Sequence, residues 1–500
     1  MPTAIHRVLL AIALLLPLLA HAGDAEDFVA ANPMQQAKLL EAWAAQPDPA
    51  RIELLNALQQ GELTIDGQAK TLRLNNRLRG LIDTAMASHQ LLAADSKIRL
   101  GAAQQLQKSA KPAQLKFLDR QLAGEKDESV HAALSLALAN LQLVDSDPAV
   151  RLAAVRLLGE TGDPLARTRL EGLLEPGVES DAGVRTAAET SLAQVKRKLL
   201  IGEVLGQAFS GMSLGSILLL AALGLAITFG LLGVINMAHG EMLMLGAYST
   251  YVVQLMFQRY APQAIEFYPL IALPVAFFVT AAIGMALERT VIRHLYGRPL
   301  ETLLATWGIS LILQQAVRTA FGPTNREVGA PSFMSAAFEL GGLAITYNRL
   351  WIIVFAALVF AALLAILKLT PMGLQMRAVT QNRRMASAMG IRTGRIDALT
   401  FGLGSGVAGL AGVALSQIDN VSPNLGQSYI IDSFMVVVFG GVGNLWGTLV
   451  GAMTLGVANK LLEPYAGAVL GKIALLVCII LFIQKRPRGL FALKGRAVEA

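Results

Sequence analysis

Three kinds of apolar patterning divide the chain. Residues 8–20 form a short unbroken apolar run. From residue 23 to about 197, apolar positions alternate with charges at helical spacing, the mark of amphipathic helices that bury one stripe. From Gly211 onward the apolar runs lengthen to about 20 residues, enough to cross the hydrocarbon core of a bilayer. Spans are expected at about 211–230, 240–257, 268–288, 302–321, 350–369, 397–417, 430–443, 446–462 and 467–484. The pattern predicts an all-α fold in which a polytopic helical membrane domain, 198–500, follows a helical domain, 23–197.

The first run reads as a processing segment. Arg7 precedes Val8 to Ala20, and Ala20-His21-Ala22 offers small residues at the two positions a signal peptidase reads. Residues 1–22 are therefore expected to be a signal peptide, and 23–197 a periplasmic domain. Within that domain a pattern recurs: Asp95-Ser-Lys-Ile98-Arg99, Asp127-Glu-Ser-Val130-His131, Asp147-Pro-Ala-Val150-Arg151 and Asp181-Ala-Gly-Val184-Arg185. Each Asp is placed to cap a helix, and the β-branched residue to open its buried stripe. The segment "DPAVRLAAVRLLGETGD" resembles a HEAT-type helical repeat, whose copies stack into a solenoid. The spacing is irregular, so an irregular helical bundle is the alternative.

Charge sorts the two parts and orients the second. The chain is 54% hydrophobic and 15% charged, well below the roughly 25% charged residues of a soluble domain. Its net +7 divides into −3 over residues 23–197 and +9 over 198–500, with Arg7 supplying the remainder. A basic excess in the apolar part follows the bias of cytoplasmic loops and argues against nucleic acid as partner. With the first span entering from outside, Arg289, Arg293 and Arg298, then Arg377, Arg383, Arg384, Arg392 and Arg395, then the tail "QKRPRGLFALKGR", all fall inside. Gly440-Gly441-Val442-Gly443-Asn444 must then be a turn between two short helices. Lys196-Arg197-Lys198 falls outside against this bias, which a long exported domain can override. The single cysteine, Cys478, excludes a disulfide within the chain.

Polar side chains inside apolar stretches are the candidate chemistry. "GVINMAHGEMLMLGAY" places Asn236, His239 and Glu241 where the first span meets the second. Such groups are satisfied by each other, by backbone or by a hydrated cavity, so they read either as an interhelical cluster holding the turn or as solute contacts. In "TLLATWGISLILQQAVRTAFG", Thr306, Ser310 and Gln314 fall at i, i+4 and i+8, one polar stripe on an apolar helix. They line a route for a small polar solute or join helices. Asp432 is a further pathway candidate. With so few fixed charges in the spans, a neutral polar solute is favoured over a zwitterion. The glycine-rich "FGLGSGVAGLAGVAL" reads as a packing face.

In the basic loop, Ala378, Asn382, Ala386 and Gly390 recur every four residues, a small-residue face beside Arg377, Arg383 and Arg384. No GxxxxGK[ST] loop occurs. "GAVLGKI" at 467–473 is one residue short and ends in Ile473 where a hydroxyl is required. Metal-ligand spacing and paired nucleophiles are likewise missing from the sequence, so no catalytic residues, metal or cofactor are expected, and the chain is not read as an enzyme.

Four stretches in order, "GMSLGSILLLAALGLAITFGLLGVINMAHGEMLMLGAY", "RAVTQNRRMASAMGI", "FGLGSGVAGLAGVAL" and "FMVVVFGGVGNLWGTLVGAMTLG", resemble the permease subunits of branched-chain amino-acid-type ABC importers. With its leading exported domain, the architecture is most similar to the B-type permease of urea ABC importers. The resemblance implies a multi-pass protein of the bacterial inner membrane that forms half of a translocation pathway. It also implies a second permease subunit, two ATP-binding subunits and a periplasmic solute-binding protein as partners. The basic loop would be the coupling helix that docks on the ATPase. Urea or a short amide is the expected solute, with branched-chain amino acids as the alternative.

Overall fold

The structure, a computed structural model, describes residues 24–65, 68–71, 74–340 and 343–491. The expected signal peptide and the last residues of the basic tail lie outside the described residues. The chain divides into two compact units at Ile201 and Gly202.

The first unit is built of short capped helices: α1 Pro33–Ala45, α2 Ile52–Gln60, α3 Asn76–Gln90, α4 Ser96–Ser109, α5 Leu115–Gly124, α6 Glu128–Gln142, α7 Pro148–Gly159 and α8 Pro164–Leu173. Asn32 caps α1 by accepting from the Met34 and Gln35 amides, and Gln35 bonds back to the Asn32 amide, closing a capping box. The four Asp residues of the recurring pattern all cap. Asp95 accepts from the Lys97 amide, Asp127 from Ser129, Asp147 from Ala149 and Asp181 from Val184. The buried stripe opens at Val130 and Val184, as the pattern predicts, but Ile98 is exposed. Val150 is half-buried.

One arrangement occurs twice in this unit. Arg99 forms a bidentate pair with Glu125 and donates to the carbonyls of Ala93 and Ala94. Arg151 pairs with Glu179 in the same way and donates to the carbonyls of Asp145 and Ser146. Each arginine ties the start of one helix to the loop before a later one, and planar two-point pairing fixes that loop's geometry.

The all-α expectation needs one correction. Two short antiparallel hairpins occur, β1 Glu62–Ile65 with β2 Gln68–Thr71, and β3 Ala337–Leu340 with β4 Leu343–Thr346. Asp66-Gly67 and Gly341-Gly342 separate the strands in sequence, and both dipeptides favour two-residue hairpin turns.

The second unit holds the long helices. α9 Ala182–Leu232 enters it, and α10 His239–Tyr260, α11 Tyr268–Thr290, α12 Pro299–Phe321 and α13 Tyr347–Leu369 follow. α14 Pro371–Gln381, α15 Arg383–Ala388, α16 Thr393–Ser416, α17 Leu425–Gly440 and α18 Leu445–Lys485 complete it. Six helices among the described residues are long and apolar enough to cross a membrane, against nine expected spans. α10 falls short because polar residues dilute it, and α17 is only 16 residues long. Two expected spans merge in α18, although Gly467 interrupts it with a left-handed φ of 74°. The turn after Gly440 is where the sequence places it, with Asn444 capping α18 through the Trp446 and Gly447 amides.

Helix α16 is the buried centre of this unit. A Cβ at Gly404 would fall within 2.8 Å of the Gly224 carbonyl oxygen on α9. At Gly402 it would meet the Met285 side chain on α11 at 2.6 Å, and at Gly412 it would strike the Leu243 carbonyl on α10. Three neighbours thus approach one backbone, which only small residues permit. The exposed apolar side chains, Phe278, Leu304, Ile312 and Leu358 among them, lie on the surrounding helices, as suits a surface solvated by lipid.

Candidate functional site

The two polar groups singled out from the sequence meet. α9 ends where Gly233 turns with a φ of 70°, and the irregular segment that follows carries Asn236 and leads into α10. The Oε1 of Glu241 accepts from Ser310 Oγ at 2.8 Å and from Gln314 Nε2 at 2.7 Å. One turn earlier on α12, Thr306 Oγ1 accepts from the Met237 amide at 3.1 Å. Further along, the rings of Tyr248 and Phe321 pack with centroids 4.8 Å apart. The contacts ascend together along both chains, so α10 and α12 run parallel with the polar stripe of one against the polar start of the other.

The remaining members hold the turn. Asn236 Oδ1 accepts from the Ala238 amide at 3.0 Å. The His239 ring reaches back to α9, with Nε2 2.9 Å from the Ala221 carbonyl. A carbonyl only accepts, so Nε2 is the donor. Asn236, His239, Glu241, Thr306, Ser310 and Gln314 are all buried. Among the described residues, Glu241 Oε2, Asn236 Nδ2, His239 Nδ1 and Tyr248 Oη have no hydrogen-bond partner. The cluster thus joins α9, α10 and α12 through hydrogen bonds and leaves these four buried polar atoms without a partner among the described residues.

One turn beyond Glu241 and Gln314, Leu245, Tyr248, Val317 and Phe321 line an apolar cleft of about 340 Å³ between α10, α11 and α12. It is open on one side, where Met256 and Ile271 are exposed.

Asp432 stands apart from this cluster. Its Oδ2 pairs with Lys472 Nζ at 2.9 Å, joining α17 to α18, and the ammonium lies 5.9 Å from the Tyr429 ring centroid. Lys472 is a further fixed charge in the spans, and it is paired with Asp432. Arg318, at the end of α12, donates to Asn424 Oδ1 at 2.5 Å. Among the described residues, no group of three or more His, Cys, Asp or Glu side chains is placed to hold a metal ion.

The basic loop differs from its expected form. Ala378, Asn382, Ala386 and Gly390 do not make one face, because the helix breaks at Asn382 (φ −152°, ψ 99°), whose side chain caps α15 through the Met385 amide. Gly390 then ends the segment with a left-handed φ of 86°. Asn is a strong capping residue and interrupts the four-residue period. Ala386 is buried against the bundle and Ala378 half-buried, while Met385 and Met389 are exposed, at 60% and 77%. The face open to a partner is therefore methionine with Arg384 nearby. Arg377 donates to the Leu367 carbonyl, so it braces α14 against α13.

Arg383 keeps its side chain half exposed while its tip reaches the bundle. Its Nη2 pairs with Oδ2 of Asp397, a fully buried residue at the start of α16. Its guanidinium lies 5.1 Å from the Tyr296 ring centroid, and Tyr296 donates to Oε1 of buried Glu288 at 3.3 Å. Sequence reasoning missed Asp397, Glu288, Tyr296 and Lys472. The available signal was a lone charge entering a small-residue helix at Asp397 and another inside an apolar run at Lys472.

Residues 207–484 match the family model described as the permease component of the branched-chain amino acid transport system. The chain is 30% identical over 295 residues to the high-affinity branched-chain amino acid transport system permease protein LivH of Salmonella typhimurium, covering 57% of this chain and 94% of that one. It is 30% identical over 293 residues to BraD, a permease protein of the same description from Pseudomonas aeruginosa, covering 57% and 95%. A shorter match, 32% over 110 residues, links it to the ribose import permease protein RbsC of Bacillus subtilis, covering 21% and 34%. No solved structure matches the chain. With a family model spanning more than half its length and relatives matched almost end to end, the chain belongs to the family of permease components of branched-chain amino acid transport systems.

Proposed function

We propose that the chain forms half of the translocation pathway of an ABC importer for branched-chain amino acids. The observation that carries this reading is the match to LivH over 94% of that protein's length. It replaces urea as the leading solute. The geometry supports it in one way: Glu241 keeps one carboxylate oxygen unpartnered among the described residues, which suits an α-ammonium group. In this reading Asn236, His239, Glu241, Thr306, Ser310 and Gln314 line the route, Asp432 serves helix packing, and the exposed methionines of α15 and its following turn receive an ATP-binding subunit. A second permease subunit, a pair of ATP-binding subunits and a solute-binding protein complete the machine, and the permease itself does no chemistry.

Urea remains a second reading on one observation: the relatives' matched length has no counterpart of the first unit. Uptake of labelled leucine and labelled urea, by cells with and without the gene, separates the two. Gene-dependent uptake of leucine but not urea supports the proposal, and the reverse refutes it.

A further inference from the structure

The Arg383–Asp397 pair occupies a position that docking alone does not explain. Asp397 is completely buried in the second turn of α16, and among the described residues its Oδ1 has no hydrogen-bond partner. A buried carboxylate is tolerated only when paired, and here the pairing group comes from α15, the short helix outside the bundle. The connection between them is short and closed: the Ile391 amide donates to the Ala386 carbonyl at 3.1 Å, and the Ile396 amide to the Arg392 carbonyl at 3.2 Å. Tyr296, under the guanidinium, extends the contact to the end of α11 through Glu288.

What α15 grips is the least compliant element of the unit. The α16 backbone is in glycine contact with α9 at Gly224, and with α10 where a Cβ on Gly246 would strike the Gly409 carbonyl. Close-packed backbones have no room to absorb a displacement locally, so they move as bodies. α10 carries Glu241. A continuous line of contacts therefore runs from α15 through Arg383, Asp397 and α16 to the polar site.

We propose that the Arg383–Asp397 pair is the mechanical link through which α15 moves α16, making Arg383 a positioning residue of the transport cycle and not a contact for an ATP-binding subunit. This rests on the permease reading above. The link would turn movement at the outer face of α15 into a shift of α16 against α10, and hence into opening or closing of the Glu241 cluster.

The test is the ratio of solute taken up to ATP hydrolysed by the full complex in proteoliposomes, for the wild-type chain, Arg383→Lys, Asp397→Asn and the double variant Arg383→Met with Asp397→Leu. The double variant removes the buried charge together with its partner, so insertion and assembly are expected to persist. Its uptake per ATP is expected to fall about tenfold or more with ATP hydrolysis retained, and Arg383→Lys to keep most of the ratio. A double variant with a wild-type ratio overturns the link, because the pair then serves only to neutralise charge. Loss of the ATP-binding subunits from the inserted double variant on purification overturns it too, in favour of docking. Should the double variant fail to insert, Asp397→Asn is decisive: a normal ratio refutes the link and a reduced one supports it. A wild-type complex that couples no uptake to hydrolysis defeats the permease reading itself, and the link with it.

Discussion

Gln314 donates to the buried carboxylate of Glu241 at 2.7 Å, tying the middle of α12 to the first turn of α10. Ser310 donates to the same oxygen, so removing both donors strips Oε1 of its bonds while leaving the carboxyl group in place. Side-chain hydrogen bonds between membrane helices average about 0.6 kcal/mol and reach about 1.7. Two such bonds are expected to contribute about 1–3 kcal/mol. Gln314→Leu with Ser310→Ala should lower leucine uptake about tenfold with assembly unchanged. Glu241→Gln keeps the shape and removes the charge, and it should abolish uptake if the free oxygen receives an ammonium group. Normal transport by Glu241→Gln would take the carboxylate out of the pathway.

Gly246 provides a control on packing. A Cβ there would overlap the Gly409 carbonyl, whereas a Cβ at Gly308 would meet nothing within 4 Å. Overpacking of this kind costs about 1–3 kcal/mol and displaces backbone. Gly246→Val should sharply reduce the yield of folded, detergent-stable protein, and Gly308→Ala should leave it unchanged. Equal melting temperatures for the two variants would contradict the close approach of α10 and α16.

These contacts show what a linear pattern carries and what it omits. Apolar run length placed α11, α12, α13 and α16 near their observed bounds, and turn chemistry placed the break after Gly440, because both signals are local. The Thr306, Ser310 and Gln314 stripe was legible at helical spacing. That Glu241 would be its partner was not, because pairing at a separation of about 70 residues is decided by which helices become neighbours. The coupling segment misled for the opposite reason: a four-residue period ran through Asn382, whose capping side chain ended the helix carrying it. Asp397 escaped notice because a lone acid at a helix start reads as a surface residue until its burial is known.

In the first unit, two bonds from Arg99, together with backbone donors, hold the Glu125 carboxyl at about 2, well below its usual value of 4.5. A carboxyl depressed in the folded state contributes stability that is fully present above the unfolded value and is lost as pH falls towards the folded one. Glu179 is lowered by Arg151 in the same sense. Hydrogen exchange over residues 93–142 of the full-length protein, corrected for intrinsic rates, should show protection constant from pH 7 to about 5 and decreasing from there to pH 3. Glu125→Gln should start less protected at pH 6 and lose less on acidification. An unchanged profile in that variant would mean the pair contributes nothing to the unit's stability.

The methionine face of the basic loop makes the docking reading specific. Met385 and Met389 project outward while Ala386 faces the bundle, so substitutions three residues apart should fail differently. Unbranched, polarizable methionine adapts to a partner surface at little conformational cost, and an unpaired carboxylate buried in an apolar contact is costly. Met389→Glu should therefore release the ATP-binding subunits on purification while the permease inserts and melts normally. Ala386→Glu drives a charge into the contact between α15 and the bundle, and it should lower the melting temperature of the permease alone. Co-purification of a full complement of ATP-binding subunits with Met389→Glu would show that the partner binds elsewhere on the loop.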